Sequence, residues 1–209
     1  RVIASSSSGN AGAATAAYAA KAGLPCVVVT YQDAAGPMVT QMRAYGAMLL
    51  AVPTSADRWQ VLSAAVDRFG WYPTSVYYGP AVGSNPYGIE GYKTIACEIA
   101  EALDWQSPDW CVLPVCYGDA LYGMWKGFED MRRFGWIDHT PRFAAAEISG
   151  SLEAAMASGI EQPSVYERAT PTIAISIGAS QGTYQGVHAL RASNGVATFV
   201  DDDAMLGWQ

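Results

Sequence analysis

Two stretches of this 209-residue chain combine residue types that suit the binding of an anion. The first is Ser5-Ser6-Ser7-Ser8-Gly9-Asn10, set between Arg1-Val2-Ile3-Ala4, which reads as a buried strand, and an alanine-dense segment at 11–22. A strand that runs through such a turn into a helix leaves unpaired backbone N–H groups aimed at one spot. That spot suits an anion, and the serine hydroxyls add donors. Gly9 permits a tight turn. Asn10 suits either a helix cap or a hydrogen bond to a ligand, and the local pattern leaves both open. The second stretch is Pro114-Val115-Cys116-Tyr117-Gly118-Asp119-Ala120, again a strand-to-turn-to-helix junction whose backbone N–H groups form an anion cradle. Here a plain helix cap stands as the alternative, and the Asp119 carboxylate is compatible with a bound anion only if it points away.

Other chemistry-bearing residues are explained more simply. Asn85-Pro86, with Glu90 behind it, reads as capping and dipole chemistry at a helix start. His139 and His188 lack the Ser or Cys spacing of a catalytic triad. Lys21, Lys93 and Lys126 fall in helices, as solvated side chains. Asp201-Asp202-Asp203 opens a helix and needs no metal to explain it. The four cysteines, Cys26, Cys97, Cys111 and Cys116, show no metal-ligand spacing and read as free thiols of a reducing cytosol.

Composition narrows the field. Hydrophobic residues at 51% and charged residues at 15% supply a real core. A net charge of −7 argues against a nucleic-acid surface but not against a small anionic ligand held by local dipoles. No apolar run approaches the ~20 residues of a membrane span. The chain has no initiator Met, starts inside a strand and stops just after a helix opens, so it reads as the middle of a longer protein.

The elements that position these residues alternate. Strands are expected at 3–5, 25–30, 47–52 and 75–78, with helices at 10–22, 36–45 and 55–69 between them. Gly46 and Gly70 end two of the helices. Residues 79–88, rich in Gly, Pro, Asn and Ser, read as a junction between two subdomains, 1–80 and 81–209. Beyond it, Ile89, Tyr92, Ala96, Ile99 and Leu103 mark one face of an amphipathic helix. Strands follow at 110–115, 142–147 and 196–200, and helices at 121–134 and 185–192. Residues 150–170 read as a short helix plus a surface loop. Strand and helix in strict alternation predict a parallel α/β fold.

Taken in order, these stretches resemble the fold-type II pyridoxal-phosphate enzymes, and within them the threonine synthase group. Ser-Ser-Gly-Asn-Ala at 7–11, running on to Leu24-Pro25, is similar to that family's asparagine loop. Asn85-Pro86, then Ile89-Glu90-Gly91-Tyr92-Lys93-Thr94 and Glu98-Ile99, resemble its next segment. Pro114-Val115 with Trp125-Lys126-Gly127-Phe128 resembles its phosphate loop and the helix after it. Thr172-Ile173-Ala174, Ser176-Ile177-Gly178, Gly195-Val196-Ala197 and Val200-Asp201-Asp202 resemble its last third.

The resemblance implies two parallel-type α/β subdomains of the tryptophan synthase β-subunit-like architecture, incomplete at both ends, and pyridoxal 5'-phosphate as cofactor. Asn10 would hydrogen-bond the cofactor's phenolic oxygen. Ser7, Ser8 and Ala11 would hold the carboxylate of an amino-acid substrate. Val115, Cys116, Tyr117, Gly118 and Asp119 would cradle the cofactor phosphate, and Gly178 would lie against its ring. The Schiff-base lysine is expected upstream of Arg1 and the pyridine-nitrogen partner beyond Gln209, so the 209 residues alone should be inactive. The implied activity is threonine synthase-like, O-phosphohomoserine to threonine by elimination and then water addition. A pyridoxal-phosphate ammonia-lyase or dehydratase of the same fold is the close alternative. A non-catalytic relative that binds a small anion or a partner subunit is the alternative of another class, and it draws on the loop at 116–120, which is poorer in glycine than the family's. A cytoplasmic homodimer, with no metal, nucleic-acid or membrane partner, completes the expectation.

Overall fold

The computed structural model describes residues 1–208 apart from 33, 35, 79–82 and 168–171. The chain forms two compact units, Arg1–Pro80 and Ala81–Gln209.

The first unit is a four-stranded parallel sheet with helices on both faces. Its elements are β1 (Ile3–Ser6), α1 (Asn10–Lys21), β2 (Cys26–Tyr31), α2 (Pro37–Ala44), β3 (Met48–Val52), α3 (Ser55–Phe69) and β4 (Tyr72–Pro73). The strand order is β3-β2-β1-β4. Every paired strand runs parallel. Alternation along the strands sorts the side chains onto two faces. Cys26 and Val28 meet Ala13, Ala16, Ala19 and Met42, from α1 and α2, on one face. Ala4 and Val29 meet Leu62 of α3 on the other. The small residues of α1 let it lie close to the sheet. A Cβ on Gly12 would sit 3.2 Å from Val28 Cγ1, so glycine is used there for close approach. Helix α3 carries its own signals. Thr54 and Asp57 form a reciprocal capping box, and Gly70 closes the helix in the left-handed conformation.

The second unit is built on a three-stranded parallel sheet in the order β5-β6-β7. Its elements are α4 (Pro86–Gly91), α5 (Lys93–Ala102), β5 (Trp110–Pro114), α6 (Asp119–Arg133), β6 (Arg142–Glu147), α7 (Ser151–Ser158), α8 (Tyr184–Ala192), β7 (Val196–Phe199) and α9 (Asp202–Gly207). Its core gathers Leu121, Met124, Phe128 and Met131 from α6 around Phe143 of β6 and Leu190 of α8. Phe128 and Phe143 meet edge to face, 6.2 Å between centroids, and full burial of each such ring is worth about 2–3 kcal/mol. Helices α5 and α6 both end in Schellman turns, with the Trp105 N–H bonded to Ala100 O and the Trp136 N–H to Met131 O. The two tryptophans that close these turns meet edge to face at 5.7 Å.

The parallel α/β expectation holds, with two corrections. The strand expected at 75–78 is not formed; pairing with β1 is made by Tyr72 and Pro73 instead. Pro73 is tolerated because β4 is an edge strand, paired on one side only. The amphipathic helix expected from 89 to 103 is two helices that join at Tyr92. The cause lies in α6, where a Cβ on Gly123 would sit 2.4 Å from Ile89 O and one on Gly127 would sit 2.9 Å from Lys93 O. The backbone of the α4–α5 joint rests directly on these glycines. Of the expected junction at 79–88, residues 79–82 lie outside the described residues, and Asn85 caps α4 by accepting the N–H of Tyr87 at 2.9 Å and of Gly88 at 3.3 Å.

Candidate functional site

In the first unit, β1, β2 and β3 march outward in one direction and β4 returns to the other side of β1. The winding direction therefore reverses between β1 and β4, and open parallel sheets bind ligands at the carboxyl edge of such a switch. The serine turn lies there. Ser7 is buried, and its Oγ accepts the N–H of Gly12 at 3.0 Å and of Gly9 at 3.2 Å. The Ser7 hydroxyl thus shapes the turn from inside. Gly9 precedes α1 with no side-chain cap. Among the described residues none accepts the N–H groups of Asn10 and Ala11, and both residues are exposed. Ser8 is half-buried beside them. The arrangement offers an anion two backbone amides and one hydroxyl.

Two residues of this unit, Thr74 and Ser75, gave no signal in the linear pattern. Ser75 Oγ accepts the Ser6 N–H at 2.7 Å, and Thr74 Oγ1 lies 2.9 Å from Thr15 Oγ1 on α1. They reach the serine turn only through the β1–β4 pairing, some seventy residues away in sequence.

In the second unit, the turn between β5 and α6 is held by backbone. The Val115 N–H extends the β5–β6 ladder to Ala146 O at 2.8 Å. Tyr117 O accepts the hydroxyl of Thr183, a fully buried residue that also caps α8. Gly118 adopts φ +95°, a left-handed conformation, and a Cβ there would sit 3.0 Å from Gly186 Cα. Only glycine fits on both counts. With glycine as the N-cap, no side chain closes the start of α6. Among the described residues none accepts the amides of residues 119–121. The Asp119 carboxylate turns aside and accepts the Ser84 N–H at 3.2 Å. Burial pushes the Asp119 carboxyl up, against the lowering effect of its Ser84 hydrogen bonds. Burial likewise raises the Cys116 thiol to about 11, so it is a neutral thiol at pH 7. The Ala179 backbone lies near enough to this thiol to oppose that rise, so the segment carrying Gly178 lies beside the turn. Gly178 itself ends a single 3-10 turn, Ile175–Ile177, and is exposed.

The remaining candidates fall outside this geometry. Lys93 and Lys126 are partly exposed, and each is also paired. Lys93 Nζ pairs with Glu90 at 2.6 Å and Asp130 at 2.5 Å, and Lys126 pairs with Glu90. These bonds hold the Glu90 carboxyl below its usual range, the one from Lys126 most strongly. His188 packs edge-on to Trp125 and Tyr122, while His139 pairs with Asp138 at the surface. Asp201 caps α9 through the Ala204 N–H at 2.7 Å. All four cysteines are free thiols. No helix among the described residues is long and apolar enough to cross a membrane.

The chain is similar to known proteins over nearly its whole length. The chain is 32% identical over 211 residues to a threonine synthase of Methanosarcina acetivorans, covering 99% of this chain and 51% of that protein. It is 33% identical over 208 residues to a threonine synthase of Halalkalibacterium halodurans, covering 99% and 55%. The chain thus spans about half the length of the curated relatives it matches. Its fold superimposes on maize serine racemase with a TM-score of 0.78 at 22% identity, over 98% of this chain and 58% of that one. The processed form of threonine deaminase isoform 2 from Solanum lycopersicum superimposes with a TM-score of 0.74 at 16% identity, over 95% and 51%. The family model described as pyridoxal-phosphate dependent enzyme matches residues 1–209, and the chain belongs to that family.

Proposed function

We propose that this chain is a portion of a pyridoxal-phosphate-dependent lyase of the threonine synthase type, acting on O-phosphohomoserine. The observation that carries the reading is the start of α6: unpaired amides above a left-handed Gly118 that no other residue could replace. A helix N-terminus with free N–H groups fits a phosphate monoester. The donor set is all backbone, so the bulkier Cys116 and Tyr117 do not block it, and Asp119 is already turned toward Ser84. The threonine synthase relatives, about 30% identical across nearly the whole chain, narrow the class.

In this reading, the turn from Val115 to Asp119 presents the unpaired amides of residues 119–121 to the cofactor phosphate, with the Val115 N–H committed to Ala146 O, and Gly178 offers a side-chain-free surface to its ring. Asn10 donates a hydrogen bond to the phenolic oxygen. The amides of Asn10 and Ala11, with the Ser8 hydroxyl, orient the substrate carboxylate, while Ser7 maintains the turn that presents them. Pyridoxal phosphate supplies the electron sink for negative charge at the substrate α-carbon; the protein supplies orientation. Lys93 and Lys126 are committed to Glu90 and Asp130 and receive no covalent role.

The test is spectroscopic and uses the full-length protein. Pyridoxal phosphate added to it should give the visible absorbance of the bound cofactor, and Asn10→Ala should shift that band while the far-UV circular dichroism is unchanged. Turnover of O-phosphohomoserine to threonine supports the synthase. Ammonia release from threonine without it assigns the dehydratase chemistry instead. A protein that gives no visible band with the cofactor is neither.

A further inference from the structure

We infer that Thr74 and Ser75 are positioning residues for the substrate carboxylate, because they hold the serine turn and the first turn of α1 from the opposite strand. The inference rests on the assignment of that carboxylate to Ser8 and the amides of Asn10 and Ala11.

One rung of the β1–β4 ladder is missing. The two strands exchange regular parallel hydrogen bonds at first, from the Tyr72 N–H to Val2 O and from the Thr74 N–H to Ala4 O, both 2.8 Å. The next rung would take the Ser6 N–H to a backbone carbonyl of the partner strand. It goes instead to the Ser75 hydroxyl at 2.7 Å. A side chain stands in for backbone, so the ladder ends where the serine turn begins, and the Ser6 amide is still satisfied. Such a substitution ends the β1–β4 ladder at the sheet's carboxyl edge without leaving the Ser6 donor unpaired.

Thr74 completes the attachment. Thr15 Oγ1 donates to Ala11 O at 2.8 Å. A hydroxyl has one proton, and that of Thr74 is shared between two acceptors, Thr15 Oγ1 at 2.9 Å and Ala4 O at 3.2 Å. The result is a chain of hydroxyl contacts that links Ala4 O of β1, through Thr74 and Thr15, to the carbonyl of Ala11. It ties β4 to the first turn of α1 beside the two unpaired amides. Ser7 fixes the same turn from within through Gly9 and Gly12. The turn is therefore held on two sides, and only the outer side depends on residues distant in sequence. Neither Thr74 nor Ser75 is assigned a contact with substrate; Ser75 acts through the Ser6 amide of the serine turn and Thr74 through the position of α1.

The test compares Thr74→Val, Thr74→Ser and Ser75→Ala in the full-length protein loaded with pyridoxal phosphate. Thr74→Val keeps the shape and removes the hydroxyl. It should raise KM about three- to tenfold, the effect of one hydrogen bond, with kcat within about twofold and the cofactor absorbance unchanged. Thr74→Ser should restore KM to near wild type. Ser75→Ala should raise KM on the same scale and speed hydrogen exchange at the Ser6 amide. Calorimetric titration with L-threonine as the carboxylate probe supplies a readout besides turnover, and its Kd should follow KM. Ser8→Ala removes the one side-chain group assigned to the carboxylate and tests the underlying assignment. If it leaves L-threonine affinity unchanged, the assignment of the carboxylate fails and this inference fails with it. If it weakens that affinity while Thr74→Val does not, or if Thr74→Ser fails to rescue, the carboxylate site stands and the positioning role is overturned.

Discussion

The α1 turn and the α6 turn solve the same problem with different materials. Both follow a parallel strand, both open a helix, and both leave amides unpaired at its start. In the α1 turn the shape is held by hydroxyls, with Ser7 inside accepting two amides and Ser75 outside accepting a third. A Cβ on Gly9 would meet nothing within 4 Å, so glycine is not enforced there by space. In the α6 turn the shape is held by backbone, with Gly118 left-handed against Gly186. The difference teaches where each turn is vulnerable. A turn made of side-chain hydrogen bonds degrades by steps, while one made of glycine contacts has no intermediate state.

The largest effect should come from breaking the second turn. Gly118→Val forces a β-branched residue into a left-handed conformation and against the Gly186 backbone. It should cost roughly 3 kcal/mol or more and abolish cofactor binding, read from thermal unfolding and visible absorbance. The matching change in the first turn, Gly9→Ala, should fall within about 0.5 kcal/mol. Equal losses at the two glycines would erase the distinction.

Breaking the first turn requires its hydroxyl. Ser7→Ala strips the acceptor from the Gly9 and Gly12 amides and should cost about 1–2 kcal/mol, comparable to losing a helix cap. Ser8→Ala, a half-buried neighbour, should change the unfolding midpoint little, whatever it does to substrate binding.

The smallest effect sharpens the comparison through charge. Burial raises the Asp119 carboxyl, so the folded state retains its proton above the ordinary value of 3.8. The sign follows from linkage: its contribution favours folding at low pH and is lost as pH rises through the folded-state value. Asp119→Asn keeps an oxygen for the Ser84 N–H and removes the charge. It should raise the midpoint at pH 7 by about 2–4 °C, the scale of ~1 kcal/mol, and tighten inorganic phosphate binding. The gain in midpoint should vanish near pH 3. A variant less stable than the parent at pH 7 would show that the ionised carboxylate is what Ser84 needs.

Much of this was legible in the chain because the signals were local. Helix α3 carries its start in Thr54 and Asp57 and its stop in Gly70, and β6 is bounded as its apolar run suggests. Both anion-suited turns announce themselves as polar, glycine-containing breaks between an apolar run and a helix. What was hidden depends on contacts between segments far apart. The aromatic run at 75–78 looks like a strand, but Ser75 spends its side chain on the Ser6 amide, and pairing falls to Tyr72 and Pro73. The periodicity from Ile89 to Leu103 is continuous, yet the helix breaks at Tyr92 where it lies on Gly123 and Gly127. Lys93 and Lys126 look like surface charges until Glu90 and Asp130 are brought to them by the fold. Thr74 and Ser75 could have been suspected only by asking which strand neighbours β1, since the switch in strand order puts a second loop beside the first.

The edge-to-face meeting of Trp105 and Trp136 has a use outside stability. Two indoles 5.7 Å apart and inclined at 79° couple their electronic transitions, so the pair should give a signed doublet in the ultraviolet circular dichroism. That doublet reports whether the ends of α5 and α6 remain docked. It originates wholly within the second unit and away in sequence from Gly118, which gives the experimenter an optical signal for the integrity of that unit independent of any bound chromophore.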